Sequence, residues 1–137
     1  MIGIDIARLN SYRAIDAAGD WKHGNDYEIT PDGMNIIDYS YKYDDLIYTP
    51  VQAHTLCRGY RKQDARGRYI FERDFAETPM GFGMVCCDGD AWAIKIGADR
   101  FPLDDCHSSI TVVGNRFDDI GLLARFLESL PETDQDL

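Results

Sequence analysis

From Tyr12 onward, apolar residues recur in short runs that alternate with polar ones and are separated by glycine- or proline-bearing turns. A period of two places successive side chains on opposite faces and predicts half-buried strands. The pattern predicts strands over 12–15, 26–30, 34–39, 46–48, 56–60, 68–71, 80–87, 91–96 and 109–113. Residues 1–10 read two ways. Ile2, Ile4 and Ile6 alternate as in a strand, while Ile2, Ile6 and Leu9 line up at helical spacing. Turn chemistry marks Ala17-Ala18-Gly19-Asp20, Pro31-Asp32-Gly33, Gln63-Asp64-Ala65-Arg66-Gly67 and Asp88-Gly89-Asp90. Gly81-Phe82-Gly83 lies inside a strand pattern without a following lysine or helix, so it predicts a bulge or a close backbone approach rather than a phosphate loop. The last element differs. Ile120, Leu122, Leu123, Phe126, Leu127 and Leu130 recur at helical spacing between Asp118-Asp119 and Pro131. They predict an amphipathic helix with acidic residues at its positive end, followed by a frayed tail over 132–137.

Many short strands and one late helix predict a mainly β fold, with the strands closing into a small SH3-like barrel carrying additional N-terminal strands. A chain of 137 residues is large enough to bury a core as a single domain. Its expected parts are a strand-rich segment over 1–50, a barrel core over 55–116 and the helix over 118–130.

Charge changes this picture most. The formal net charge is −10, which argues against sequence-independent nucleic-acid binding by the whole surface. One stretch runs the other way: Arg58, Arg61, Lys62, Arg66, Arg68 and Arg73 stand against only Asp64, Glu72 and Asp74. The opening residues have no secretory pattern, and no apolar run reaches the roughly 18 residues a membrane span needs. A cytoplasmic location without membrane contact is therefore expected. Cys57, Cys86, Cys87 and Cys106 lack the spacing of a zinc knuckle or redox motif and read as free thiols, mostly buried.

The basic turn is the foremost candidate for binding. Guanidinium groups grip oxyanions at two points, so Arg58, Arg61, Lys62, Arg66 and Arg68 suit an acidic partner or phosphates. The bland alternative is a solvated loop, and Asp64 and Gly67 read as turn chemistry. For a metal, His54 with Cys57 and Cys106 with His107, near Asp104 and Asp105, supply ligand types. Adjacent strand residues face opposite ways, however, so buried thiols and ordinary histidines explain them better, and no cofactor or metal is expected. For catalysis, Cys106 or Ser108 with His107 or His54, or the carboxylates Glu72 and Asp74, sit in no nucleophile motif. The tyrosines at 39, 41 and 43 share one strand face, either core or an exposed partner edge. Clean alternation around Trp92 predicts that it is core; Trp21 is left between the two readings.

The stretch from Gly59 to Asp74 resembles the YopX-like family of phage and prophage proteins. That family's hallmark is Thr-Gly-x-x-Asp-x-x-Gly-x-x-Ile-(Tyr/Phe)-Glu-Gly-Asp, here at Gly59, Asp64, Gly67, Ile70, Phe71, Glu72 and Asp74. Tyr12-Arg13-Ala14 with Gly19 to Gly24, the paired runs Gly81 to Val85 and Ala91 to Ile94, and Val113-Gly114-Asn115 with Leu122-Leu123 resemble its other blocks in order. Arg73 stands where the family carries glycine, so a positive φ there would strain it. The resemblance implies the same barrel, a phage or prophage setting and no defined reaction. The resulting expectation is a non-enzymatic protein–protein interaction module, self-associating or binding a host or phage factor. The alternatives are a nucleic-acid-associated module using the basic turn and, third, an uncharacterised enzyme.

Overall fold

The computed structural model describes residues 11–40 and 42–131. The elements expected over 1–10 and 132–137, and Tyr41, lie outside the described residues. The chain divides into two compact units, Met1–Arg61 and Lys62–Leu137. The division falls within the strand Cys57–Gln63.

In the first unit, β1 (Tyr12–Ile15) pairs antiparallel with β2 (Trp21–Gly24). The turn between them is organised by Asp16, whose carboxylate accepts from the amides of Ala18 and Asp20, with Gly19 at φ 89°. The Asp20 amide, then that of Ala18 and the nearby Lys22 ammonium, hold the Asp16 carboxyl below its ordinary range. β3 (Asp26–Thr30), β4 (Gly33–Ser40) and β5 (Asp45–Val51) form an antiparallel sheet with β4 in the centre. β6 (Cys57–Gln63) pairs with β1 at Arg58 and runs on into the second unit. Ala14, Ile15, Met34, Ile36 and Cys57 are buried. Gly24 is required by contact: a Cβ there would lie 2.3 Å from the Ile37 carbonyl oxygen.

In the second unit, β7 (Tyr69–Phe71) precedes a five-stranded antiparallel sheet. Its strands are β8 (Asp74–Thr78), β9 (Gly81–Asp88), β10 (Ala91–Ile96), β11 (Asp99–Pro102) and β12 (Thr111–Asn115), in the order β11-β10-β9-β8-β12. The helix α1 (Ile120–Ser129) lays Phe126 and Leu130 onto Phe75, Phe82 and Met84, with Leu122, Leu123 and Leu127 at the margin. Phe75 stacks on Phe82 at 5.6 Å between ring centroids and meets Phe126 at 5.8 Å. Such pairs add about 1 kcal/mol each to the burial of their area.

The fold is mainly β with one helix near the C-terminus. The expected barrel over 55–116 is corrected, because among the described residues no sheet closes on itself. β11 and β12 stay at opposite margins of the second-unit sheet, and α1 covers its apolar face. Trp92 is half-buried rather than core, as is Trp21. Tyr39 is half-buried and donates its hydroxyl hydrogen bond to Asp44, whereas Tyr43 is 70% exposed. Asp119 precedes α1 without capping it; its carboxylate accepts instead from the Asn115 amide. Ile120, counted on the apolar face, is exposed.

Two arginines adopt left-handed backbone. Arg73 has φ 67° and Arg61 has φ 70°. Arg73 stands at the position where the resemblance places glycine. An L-residue in this region costs roughly 1–2 kcal/mol that glycine does not incur. Arg61→Gly and Arg73→Gly are each expected to raise unfolding free energy by about 0.5–1 kcal/mol, after the larger entropy of unfolded glycine is subtracted. Urea titration of each variant checks this, and no gain in either would mean that the arginine side chains offset their strain.

Candidate functional site

The turn from Asp64 to Arg68 is built around one carboxylate. Asp64 is 5% exposed. Its Oδ1 accepts from the amides of Arg66 and Arg68 at 2.9 and 2.8 Å, and its Oδ2 accepts from the Val112 amide on β12 at 2.8 Å. Gly67 completes the turn at φ 80°. The Arg68 Nη1 donates to the Val112 carbonyl at 3.3 Å, and the Ala65 amide donates to the Ile110 carbonyl. The outer margin of β12 is therefore closed at Val112 by the turn itself, which blocks addition of a further strand there.

The same turn sets Arg66 and Arg68 on one cleft, with the Arg68 guanidinium held by the Val112 carbonyl. Arg66 and Arg68 line a cleft of about 400 Å³ with Glu77, Thr111, Val112 and Val113. Glu77 is held by Arg125 at 2.7 Å, and that guanidinium lies 4.0 Å above the Phe82 ring. With Glu77 so engaged, the cleft presents a local positive field on an acidic chain.

The sequence candidates separate accordingly. Arg66 and Arg68 are brought together. Lys62, in the same unit, forms an exposed ion pair with Asp104 at 3.3 Å, a contact of little energetic weight that competes for its charge. Arg58 lies half-buried on β6 opposite Tyr12, and Arg61 is exposed at the end of the first unit. No sequence pattern assigns Glu77, Thr111 or Val113 to this cleft. Only the fold places β8 and β12 beside the turn.

The other candidate chemistry is taken up by the fold. Asp74 is 1% exposed and its Oδ2 accepts from the Phe71 amide at 2.8 Å, so it braces the turn holding Arg73. Asn115 accepts from the amides of Phe117 and Asp118 and donates to the Asp118 carboxylate. A Cβ on Gly114 would lie 2.3 Å from the Asp119 carboxylate. Asp64, Gly67, Ile70, Phe71 and Asp74 are thus turn or core positions. The four cysteines are free thiols; Cys57 and Cys106 are buried and Cys86 and Cys87 half-buried. Burial pushes the Cys106 thiol up, and the Asp105 charge adds to it. Burial likewise raises Cys86, against the opposing pull of Arg100 and Lys95. Raised thiols stay protonated and are poor nucleophiles. The Cys57 and Cys106 thiols each face a backbone carbonyl, of Thr55 and Pro102, and the His107 Nδ1 lies 2.9 Å from the Gln63 carbonyl oxygen. Among the described residues, no group of three or more His, Cys, Asp or Glu side chains is arranged to hold a metal ion. Among them also, no helix is long and apolar enough to cross a membrane.

Comparison of the chain with protein-family models and with curated proteins finds no match.

Proposed function

We propose that this chain is a non-enzymatic protein–protein interaction module of phage or prophage origin, of the YopX-like kind, working in the cytoplasm of its host cell. Its Arg66/Arg68 cleft takes acidic side chains of a protein partner. The observation that carries this reading is the placement of Arg66 and Arg68 on one cleft in a chain whose net charge is −10. The buried Asp64 carboxylate holds the backbone that carries both arginines, and the Arg68 guanidinium is further placed by the Val112 carbonyl, so part of the ordering cost is met before a carboxylate docks. A strongly acidic chain repels polyphosphate, and a confined basic cleft suits a few carboxylates better than a backbone of phosphates. The YopX-like reading is supported by the left-handed φ of Arg73, the position at which the hallmark carries glycine.

The test is fluorescence anisotropy with a labelled acidic peptide and a labelled single-stranded oligonucleotide of equal charge, each at low and moderate salt. Arg66→Glu is the informative variant, since the turn uses the Arg66 amide rather than its side chain. The peptide is expected to bind and to lose about tenfold in affinity in the variant, as for a close charge pair reversed. Preferential binding of the oligonucleotide would replace this reading with the nucleic-acid one. Unchanged peptide binding in Arg66→Glu would remove the cleft from it.

A further inference from the structure

Strand β5 combines two features that a sheet margin rarely shows together. It is the end strand of the first-unit sheet among the described residues. It also exposes three consecutive apolar side chains, Leu46, Ile47 and Tyr48, at 47%, 47% and 49%. Consecutive residues point to opposite sheet faces, so apolar surface flanks this margin on both sides.

The backbone of that margin is selective. The Leu46 amide is taken by the Asp45 carboxylate at 2.7 Å, and the Tyr39 amide opposite it by the Asp38 carboxylate at 2.8 Å. Tyr39 and Leu46 are therefore a non-hydrogen-bonded pair of the β4–β5 ladder. By alternation, Leu46, Tyr48 and Pro50 turn their peptide groups outward, while Ile47 and Thr49 bond β4. Pro50 has no amide hydrogen, which an outward position tolerates. Along this margin, Tyr48 is flanked by a capped donor two residues before it and a missing donor two residues after.

We propose that β5 pairs antiparallel with β5 of a second copy of this chain, about a two-fold axis at Tyr48. In this register Tyr48 of each copy donates to and accepts from Tyr48 of the other. Leu46 falls opposite Pro50 of the second copy, so the Leu46 amide, released by Asp45, meets a carbonyl that faces outward with no donor beside it. Ile47 falls opposite Thr49, and Asp45 opposite Val51 of the second copy. No two acids face each other, which an acidic chain needs for self-pairing. A shift of register sets two outward groups against the proline or the capped amide, so Asp45 and Pro50 select one alignment and oppose open-ended stacking. The aromatic pair at the axis and the flanking Leu46 side chains supply apolar contact. The surface lies in the first unit and is independent of the Arg66/Arg68 cleft.

Sedimentation velocity of the full chain across a concentration series tests this, with Tyr48→Pro and Tyr48→Thr beside the wild type and circular dichroism as a check on folding. The wild type is expected to approach twice the 15.6 kDa chain mass. Tyr48→Thr keeps the amide and the dimer. Tyr48→Pro removes two symmetric donors and weakens association about tenfold or more. Should Tyr48→Pro not fold, hydrogen exchange on the wild type replaces it, with protection of the Tyr48 and Leu46 amides rising with concentration. A monomer at every concentration overturns the proposal. So does a dimer indifferent to Tyr48→Pro, exchange at these amides that ignores concentration, or a dimer dissociated by salt and by Arg66→Glu.

Discussion

Asp64→Ala is expected to lower the unfolding free energy by about 3–5 kcal/mol, because one buried carboxylate serves three backbone amides. A hydrogen bond to a charged group contributes about 1.5–3 kcal/mol, and a buried donor left without its partner costs about 1–3 kcal/mol. The Val112 amide is the decisive one. Its bond to Asp64 is buried, and it joins the turn to a strand 48 residues later in sequence. Losing it releases the margin of β12 as well as the turn, and with it the backbone that sets Arg66 and Arg68 on the cleft. Asp64→Asn keeps one acceptor oxygen and is expected to cost about half as much. Urea unfolding followed by circular dichroism checks both variants. A loss below about 1 kcal/mol for the alanine variant would mean that water replaces the carboxylate, and that the turn is not what holds β12.

That contact also marks what the sequence makes legible and what it does not. Period-two runs located most of the strands, since a half-buried strand must alternate. β8 escaped notice because Asp74, Phe75 and Ala76 are all buried in succession, which removes the alternation that a one-sided strand shows. Asp64 and Gly67 are legible as turn chemistry, but no sequence signal shows that the second oxygen of Asp64 reaches Val112. Arg66 and Arg68 were visible as part of a basic run. What distinguishes them from Lys62, which sits against Asp104, is tertiary placement. On the hairpin that carries the tyrosine stripe, Tyr39 is tied to Asp44, and the exposed apolar residues of β5 are Leu46, Ile47 and Tyr48. The barrel was expected from strand number, and strand number alone does not specify closure.

Gly83→Ala is the second large effect, expected to cost about 3 kcal/mol or more, whereas Gly121→Ala in the same unit is expected to add about 0.5–1 kcal/mol. The two differ in what the added methyl group meets and in the backbone that carries it. At Gly83, in the buried part of β9, a Cβ would lie 2.4 Å from the Lys95 carbonyl oxygen and 2.7 Å from the Ile96 side chain. The first of these is backbone of the paired strand β10, so no rotamer change relieves the clash, and the two strands must part. That parting disturbs Met84 and Phe82, which carry α1 through Phe126. At Gly121, on the exposed side of α1, a Cβ meets nothing within 4 Å, and alanine gains the helix propensity that glycine lacks. Thermal and urea unfolding of the two variants, with the same probe, makes the comparison direct. If Gly83→Ala cost less than 1 kcal/mol, the close approach of β9 to β10 would be slack rather than packed. The Gly-Phe-Gly run would then lose its explanation as the place where backbone, not side chain, fills the space between strands.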